Sequence, residues 1–133
     1  MMHWRFAALA AGLLAASLSL AAPPAVTPQQ VHELQVKKDP ALFVLDVRSP
    51  EEFATGHVPG AVNVPYDHVA SRLAEIPKDK DVVLYCRSGR RAALAADVLE
   101  QNGYPHLQLM QGDMPAWEQA GLPVEGAVQK PTG

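Results

Sequence analysis

The chain has 133 residues and a formal net charge of −3, from 11 Lys and Arg against 14 Asp and Glu. This length is enough for one domain with a hydrophobic core and too short for two, and the negative charge argues against a general nucleic-acid-binding protein. The single cysteine excludes an internal disulfide and a cysteine-cluster metal site, and the five histidines have no metal-ligand spacing. We therefore expect neither a metal nor an organic cofactor.

Residues 1–21 have the pattern of a secretory signal peptide. Arg5 provides a positive start, the run from Phe6 to Leu20 is almost entirely apolar, and small residues at positions 19 and 21 predict cleavage before Ala22. The mature chain is then expected in the periplasm or outside the cell. The apolar run is short for a membrane span, which takes about 20 residues, so no stable membrane insertion is expected after cleavage. An uncleaved anchor is the alternative.

The rest of the chain divides into a lead-in, one domain and a tail. Residues 22–26 form a short lead-in with prolines, residues 27–124 form the domain, and residues 125–133 are expected to be a flexible tail. Within the domain, short apolar segments of strand type alternate with segments that carry helix-start signals. This alternation predicts an α/β fold with three layers, in which helices cover both faces of a mostly parallel sheet of four to five strands.

Two helices are marked by the residues at their starts. Thr27 is expected to cap the first helix, with Pro28 at the first helical position and Gln30 completing a capping box. The segment from Ser49 to Glu52 starts a second, short helix, with its acids in the first turn. Between these helices, the apolar run from Leu42 to Leu45 predicts a strand that is buried on both faces of the sheet.

The middle of the chain is predicted to contain one short strand and one helix. The strand runs from Ala61 to Val64. Asp67 is then expected to cap a helix whose Val69, Leu73 and Ile76 lie on one face. A possible fifth strand of the sheet lies in the lead-in, at residues 25–26.

The second half of the domain is predicted to contain two strands and two helices. The run from Val82 to Tyr85 is the central strand, and the helix after the next loop is expected to end at about Asn102, where Gly103 takes a left-handed conformation. The strand from Leu107 to Met110 precedes a last helix, in which Trp117 is better explained as a core anchor beside the loop than as a binding residue. The apolar stripe of the longer helix is predicted to consist of Leu94, Ala95, Val98 and Leu99.

The loop after the central strand carries the candidate chemistry. It has the sequence Cys86-Arg87-Ser88-Gly89-Arg90-Arg91, which places the only cysteine between the carboxyl end of a strand and the amino end of a helix. The free amides and the dipole of the helix start, together with the three arginines, favour an anion there and therefore the thiolate. A buried, inert core cysteine is the alternative, which so positive a loop disfavours.

Three motifs in this order resemble the rhodanese-like family, which includes sulfurtransferases. They are Leu45–Phe53 (LDVRSPEEF), Gly56–Pro65 (GHVPGAVNVP) and Cys86–Arg91 (CRSGRR). The resemblance runs from about Thr27 to Val124 and implies the rhodanese-like α/β/α fold for nearly all of the mature chain.

The resemblance also implies roles for residues around the loop. Asp46 and Arg48 would support the loop through an ion pair or hydrogen bonds, with a catalytic role as the alternative. Arg91 would brace the loop, because the last loop arginine of the family usually turns inward. The family often has two glycines before the last helix, whereas Asp113 stands at the second of these positions here.

His57 has two possible roles. It could be a general base for Cys86, or it could hydrogen-bond the loop before Pro59 and Gly60. The structural role is favoured, because the positive loop can ionise the thiol without a base.

The length of the loop separates two kinds of chemistry. Cys86 to Arg91 is a six-residue Cys-x4-Arg loop, whereas cysteine phosphatases and the arsenate reductases of this fold have a seven-residue loop that wraps an oxyanion. The shorter loop suits one sulfur atom and implies a thiosulfate sulfurtransferase. In that reaction Cys86 takes the sulfane sulfur of thiosulfate, or of a similar small anionic donor, as a persulfide and passes it to cyanide or a thiol.

The loop is expected to serve both steps of this reaction. The amides from Arg87 to Arg91 would stabilise the thiolate and the persulfide, and Arg87 and Arg90 would bind the sulfonate end of the donor. A non-catalytic sulfur-carrier or protein-interaction module is the second interpretation, and a small phosphatase or arsenate reductase is the third. The pathway and the oligomeric state are not predicted.

Overall fold

The computed structural model describes residues 21–126. All of the predicted signal peptide except Ala21, and residues 127–133 of the predicted tail, lie outside this range. Within the range, no helix is long and apolar enough to cross a membrane. The elements are β1 (Ala25–Val26), α1 (Pro28–Val36), β2 (Leu42–Asp46), α2 (Pro50–Thr55), β3 (Val62–Asn63), two 3-10 helices (Tyr66–Ser71 and Leu73–Glu75), β4 (Asp81–Tyr85), α3 (Arg90–Gln101), β5 (Leu107–Met110) and α4 (Asp113–Gln119).

The strands form one parallel sheet in the order β1-β5-β4-β2-β3. This confirms the predicted α/β fold, including the short strand in the lead-in. The carboxyl ends of parallel strands meet at one edge of the sheet, where α/β proteins place their ligands. At this edge Asp46 pairs in register with Tyr85, the residue before Cys86.

The central strand β4 distributes its side chains between two hydrophobic cores, because successive residues of a strand point to opposite faces of the sheet. Val82, Leu84 and Cys86 belong to the core beneath α3. Val83 and Tyr85 belong to the core that α1 and α4 cover. Full burial of one such apolar side chain contributes about 1.5–3 kcal/mol. Helices on both faces therefore explain why this strand is apolar along nearly its whole length.

Both predicted helix starts are confirmed. Thr27 Oγ1 accepts the N–H of Gln30 at 3.1 Å, and Gln30 Oε1 accepts the N–H of Thr27 at 2.9 Å. Ser49 and Glu52 make the same reciprocal exchange at the start of α2. Such a capping box satisfies two amides that the helix itself leaves free. It also orients the Glu52 side chain, which faces the cysteine loop.

The prediction of an α-helix after Asp67 is wrong. The segment instead forms two 3-10 helices that are separated at Arg72, whose φ is −125°, and the Asp67 side chain caps neither of them. The reason is a tertiary contact. The Tyr104 hydroxyl lies 3.1 Å from the carbonyl oxygen of Leu73 and 2.6 Å from that of Ile76, so these carbonyls are satisfied without a continuing α-helix.

The buried face of α3 differs from the predicted stripe. Leu94 is 41 % exposed, and the face that packs on the sheet consists of Ala92, Ala95, Ala96 and Leu99. The spacing of these four residues is still helical, but the small alanines form most of the face. Alanine at these positions lets the helix backbone approach the sheet closely, which leaves the longer Leu94 outside the contact.

The predicted tail begins one residue too early. Glu125 forms an antiparallel bridge with His57, in which the N–H of each residue donates to the carbonyl oxygen of the other at 2.9 and 3.0 Å. The Glu125 carboxylate also accepts the Gly60 N–H at 3.2 Å. These bonds attach Glu125 to the domain.

Candidate active site

Cys86 lies at the edge where β2 and β4 end, in a loop that leads directly into α3. Its side chain has no exposed surface. The Sγ atom accepts the backbone N–H of Gly89 at 3.0 Å and that of Ala92 at 3.4 Å. Two amides directed at the sulfur stabilise negative charge on it. Ala92, in the first turn of α3, lies beyond the amides that the sequence indicated.

The loop requires glycine at position 89. Gly89 has a φ of 92°, in the left-handed region that residues with a side chain avoid. A Cβ atom there would also lie 3.3 Å from Oδ2 of Asp113. This turn is what brings the Gly89 amide back to the sulfur.

Arg91 is held in a bidentate ion pair with Glu52 of α2. The distances are 2.6 Å from Nη1 to Oε1 and 3.0 Å from Nη2 to Oε2. The hydrogen bond from Arg91 is the main cause that lowers the pKa of Glu52 to about 2. The same pairing raises the pKa of Arg91. A side chain fixed in this way ties the loop to α2, which is the geometry expected of a bracing residue.

Asp46, Arg48 and Tyr85 form a buried polar network behind the loop. Arg48 donates to both carboxylate oxygens of Asp46, at 2.7 Å from Nη2, and to the carbonyl oxygen of Gly56 at 2.8 Å. The Tyr85 hydroxyl donates to Asp46 at 2.7 Å and accepts the Val58 N–H at 3.1 Å. No buried side-chain nitrogen or oxygen of this network is left without a partner, as buried polar groups require.

The network also sets the charges of its members. Burial lowers the pKa of Arg48, but the hydrogen bond and the charge of Asp46 outweigh it, so the net shift is upward. Burial and the neighbouring Asp46 charge raise the pKa of Tyr85 well above its usual value. Arg48 is therefore a fixed cation and Tyr85 a neutral donor at any physiological pH. Both act as supports, because neither is hydrogen-bonded to the sulfur.

Asp113, the first residue of α4, supports the loop from the opposite side. Its Oδ1 accepts the backbone N–H of Cys86 at 2.9 Å. The N–H of Met114 donates to the Cys86 carbonyl oxygen at 3.0 Å. Both backbone polar groups of Cys86 are thus bound by the start of α4. Asp113 itself is only 8 % exposed and has a φ of 56°.

The remaining loop residues face solvent. Arg87, Ser88 and Arg90 are exposed, and the structure shows no ion pair for Arg87 or Arg90 among residues 21–126. Arg87 contributes to a cleft of about 290 Å³ beside the loop. The cleft is lined by Arg48, Glu52, Thr55, Arg87, Met114, Pro115 and Glu118.

His57 forms no hydrogen bond with the Cys86 sulfur. Its ring stacks on Phe53 with centroids 3.6 Å apart, and Nδ1 lies 2.8 Å from the Phe53 carbonyl oxygen. Its Nε2 lies 3.7 Å from the Glu125 carboxylate. These contacts fit a structural role, but its partners are α2 and Glu125 and not the loop before Pro59 that the sequence indicated.

Trp117 is fully buried in the core on the α1 and α4 side. Its Nε1 donates to the Pro123 carbonyl oxygen at 2.7 Å. It anchors α4, and thereby the Asp113 that holds Cys86. Among the described residues there is no group of three or more His, Cys, Asp or Glu side chains that could hold a metal ion.

Three members of the site were not identified from the sequence. They are Tyr85, Glu52 as the partner of Arg91, and Asp113 as the acceptor of the Cys86 amide. For Tyr85 the signal was a hydroxyl in an otherwise apolar strand. For Asp113 it was an acid at a position where the resembling family often has glycine. For Glu52 no signal beyond the capping box pointed to the loop.

Comparison with known proteins identifies the family. The sequence profile described as "Rhodanese-like domain" matches residues 27–120. The chain belongs to this rhodanese-like domain family. It is 42% identical over 83 residues to a sulfurtransferase of Allochromatium vinosum, a match that covers 62% of this chain and 78% of that protein. It is 34% identical over 98 residues to the thiosulfate:glutathione sulfurtransferase of Saccharomyces cerevisiae, covering 64% and 70% of the two chains.

The rhodanese fold is found again among solved structures. The solution structure of a rhodanese-like domain from Anabaena sp. superimposes with a TM-score of 0.73 at 25% sequence identity, covering 83% of this chain and 86% of that one. The named relatives together support sulfur transfer as the general activity of this rhodanese-like chain.

Proposed function

We propose that this chain is a thiosulfate sulfurtransferase that carries a sulfane sulfur on Cys86. The observation that carries the proposal is the pair of backbone amides, from Gly89 and Ala92, that donate to the Cys86 sulfur at the start of α3. They stabilise charge on the sulfur in the absence of a general base. No side chain among residues 21–126 hydrogen-bonds to Sγ, so the backbone supplies all the hydrogen bonds that the sulfur accepts in this part of the chain.

In the first half-reaction, the Cys86 thiolate attacks the outer sulfur of thiosulfate. A bond forms between Sγ and that sulfur, the sulfur–sulfur bond of thiosulfate breaks, and its electron pair leaves with sulfite. The product is a persulfide with its negative charge on the outer sulfur. No oxidant or reductant is consumed, because the sulfite leaving group takes up the electron pair.

In the second half-reaction, a nucleophilic acceptor attacks the outer sulfur of the persulfide. With cyanide, a carbon–sulfur bond forms, the bond to Sγ breaks, and the Cys86 thiolate is regenerated as thiocyanate leaves. With a thiolate acceptor, the products are a new persulfide and the same Cys86 thiolate. The amides that stabilise the thiolate make it a good leaving group in this step.

The donor is bound by the exposed face of the loop. Arg87 and Arg90 are exposed and form no ion pair within residues 21–126, so both can donate charge-assisted hydrogen bonds to a sulfonate. Arg87 also borders the polar cleft beside the loop. Because Cys86 has no exposed surface, a small donor with a terminal sulfur is favoured over a bulky one.

We further propose that the domain acts in the periplasm or outside the cell. The basis is the signal-peptide pattern of residues 1–21, nearly all of which lie outside the described range. In an oxidising compartment a reactive thiol is lost to oxidation and mixed disulfides. Burial of Cys86 limits this loss by excluding larger thiols and disulfides from the sulfur.

The decisive experiment is intact-protein mass spectrometry of the wild type and of Cys86→Ser after incubation with thiosulfate. We expect the wild type to gain the mass of one sulfur atom and to lose it on addition of cyanide, with release of thiocyanate. Cys86→Ser should gain nothing and should show no turnover, while its thermal stability stays close to that of the wild type.

Failure of the wild type to form the adduct or to release thiocyanate would contradict thiosulfate sulfur transfer. That result would favour the second interpretation, a non-catalytic module of the same family. Formation of a stable adduct that cyanide cannot remove would point to a sulfur carrier that needs a partner protein as its acceptor.

A further inference from the structure

Asp113 contacts the active-site loop at two points. Its Oδ1 accepts the Cys86 N–H at 2.9 Å, and its Oδ2 lies 3.3 Å from where a Cβ on Gly89 would stand. Gly89 is also the residue whose N–H donates to the Cys86 sulfur. The carboxylate and the sulfur are therefore held on the same short segment of backbone.

The position of Asp113 is unfavourable for a residue that serves only to fill space. Its φ of 56° is a left-handed conformation, which costs a residue with a side chain about 1–3 kcal/mol when the fold imposes it. The residue is also buried, with only 8 % of its surface exposed. Burial of a charge is costly without a partner. A strained backbone and a buried charge are typical of residues that have a role in a functional site.

The charge of Asp113 is not neutralised by an ion pair. Charged groups on the elements that pack around the loop include Asp46 and Arg48 at the end of β2, Glu52 in α2, Arg87, Arg90 and Arg91 in the loop and α3, and Asp113 and Glu118 in α4. Two of the carboxylates, Asp46 and Glu52, are each paired with an arginine. Within residues 21–126, Asp113 forms no such pair, and a backbone amide is its hydrogen-bond donor.

We propose that Asp113 is a positioning residue that holds the loop through the Cys86 amide and uses its unpaired charge to favour the Cys86 persulfide over the thiolate. This inference rests on the proposed function. In the thiolate the negative charge is on Sγ. In the persulfide it is on the outer sulfur, one bond further from the backbone amide that Asp113 binds. A nearby carboxylate repels the first charge more strongly than the second.

The step that Asp113 favours is the loading step. The thiolate sulfur forms a bond to the outer sulfur of thiosulfate, and sulfite leaves with the electron pair of the broken bond, so charge and electrons balance. The reaction is reversible, and its position depends on the ratio of thiosulfate to sulfite. Repulsion of the thiolate raises the energy of the starting state and moves the equilibrium toward the loaded enzyme.

The test compares Asp113→Asn with the wild type. Asparagine keeps an oxygen that can accept the Cys86 N–H but carries no charge. Asp97→Asn is the matched control, because Asp97 is exposed on α3 and the chemical change is the same. The ratio of persulfide to free thiol is measured by intact mass at a fixed ratio of thiosulfate to sulfite, and the thiolate is measured by its ultraviolet absorbance at neutral pH.

We expect Asp113→Asn to lower the persulfide-to-thiol ratio on the order of fivefold, as the difference in repulsion between a charge on Sγ and a charge one bond further away implies at an effective dielectric of about 20. Its thiolate absorbance should rise, and Asp97→Asn should match the wild type in both measurements. If Asp113→Asn does not fold, Asp113→Gly takes its place, because glycine adopts a positive φ without strain, and the same two changes are expected.

The outcomes separate this inference from the proposed function. If the wild type forms no persulfide, the proposed function fails. If the wild type loads and the Asp113 variant loads to the same ratio with an unchanged thiolate absorbance, Asp113 has only a structural role and the inference is wrong.

Discussion

The cysteine loop is supported by two buried aspartates, of which one is in an ion pair and the other is not. On one side, Asp46 is fully buried, paired with Arg48, and bonded to the Tyr85 hydroxyl. On the other, Asp113 is nearly as buried and accepts a backbone amide, but no ion pair joins it to a cation among residues 21–126. The charge on the first side is balanced by an ion pair, whereas on the second side a carboxylate without an ion pair is bound to the backbone amide of the cysteine.

This difference indicates which residues hold the loop in place and which can act on the substrate. A balanced network has no charge to offer to a substrate, so the role left to it is rigidity, since each group is already committed to a partner. Unpaired charges can act on whatever enters the site. Besides Asp113, these include the exposed Arg87 and Arg90 of the loop and Glu118 of α4, which lines the cleft. Changes on the balanced side should therefore reduce stability, whereas changes on the unbalanced side should alter the reaction.

The largest expected effect on stability comes from Arg48→Met. Methionine removes the cation and leaves the Asp46 carboxylate buried with fewer donors. Removal of one partner of a buried ion pair costs about 3–5 kcal/mol. We expect the urea midpoint of unfolding to fall accordingly, with an unchanged dependence on denaturant concentration.

The control for this prediction is the double variant Asp46→Asn with Arg48→Met. It removes both charges, so the cost should be clearly smaller than in the single variant. If the single and double variants are equally destabilised, the ion pair is not what the network contributes.

A smaller effect, on the reaction alone, is expected for Arg87→Ala. The side chain is exposed and forms no ion pair in the described chain, so the free energy of unfolding should not change. Loss of one charge-assisted hydrogen bond to the donor sulfonate should raise KM for thiosulfate about tenfold. Lys37→Ala is the matched control, because it removes an exposed cation before β2, at the other edge of the sheet. Equal KM values in the two variants would show that Arg87 does not bind the donor.

Much of this architecture was predictable because its signals are local. The reciprocal caps at Thr27 and Ser49 involve residues three positions apart. The apolar run of β4, the glycine at position 89 and the start of α3 follow one another directly in the sequence. Each of these features is determined by neighbouring residues, so the strand, the loop and the helix around Cys86 followed from the sequence.

The contacts that complete the site join residues that are far apart in the sequence. Tyr85 meets Asp46 and Arg91 meets Glu52 across 39 positions each. These pairs depend on the register of β4 against β2 and on where α2 packs, which no local pattern specifies. The same reason explains the wrong helix after Asp67, since a hydroxyl from Tyr104 satisfies its carbonyls.

The smallest expected effect concerns Glu52 and Arg91, which are partly exposed and join α2 to the start of α3. The hydrogen bond from Arg91 lowers the pKa of Glu52 from 4.5 to about 2. The pair therefore contributes stability that is fully present above about pH 4.5 and is lost as the pH falls toward 2. Glu52→Gln keeps the capping box, because glutamine also serves at that position, and removes the charge.

We expect Glu52→Gln to be less stable than the wild type by about 1 kcal/mol at pH 7, and the difference should disappear as the pH approaches 2. Urea unfolding at a series of pH values measures this. Glu75→Gln is the control, since Glu75 pairs with Arg72 on the surface, where solvent screens the pair, and its difference should be smaller. A Glu52→Gln difference that stays constant with pH would mean that the Glu52 side chain acts through packing or capping, and the loop would then be braced without an ion pair.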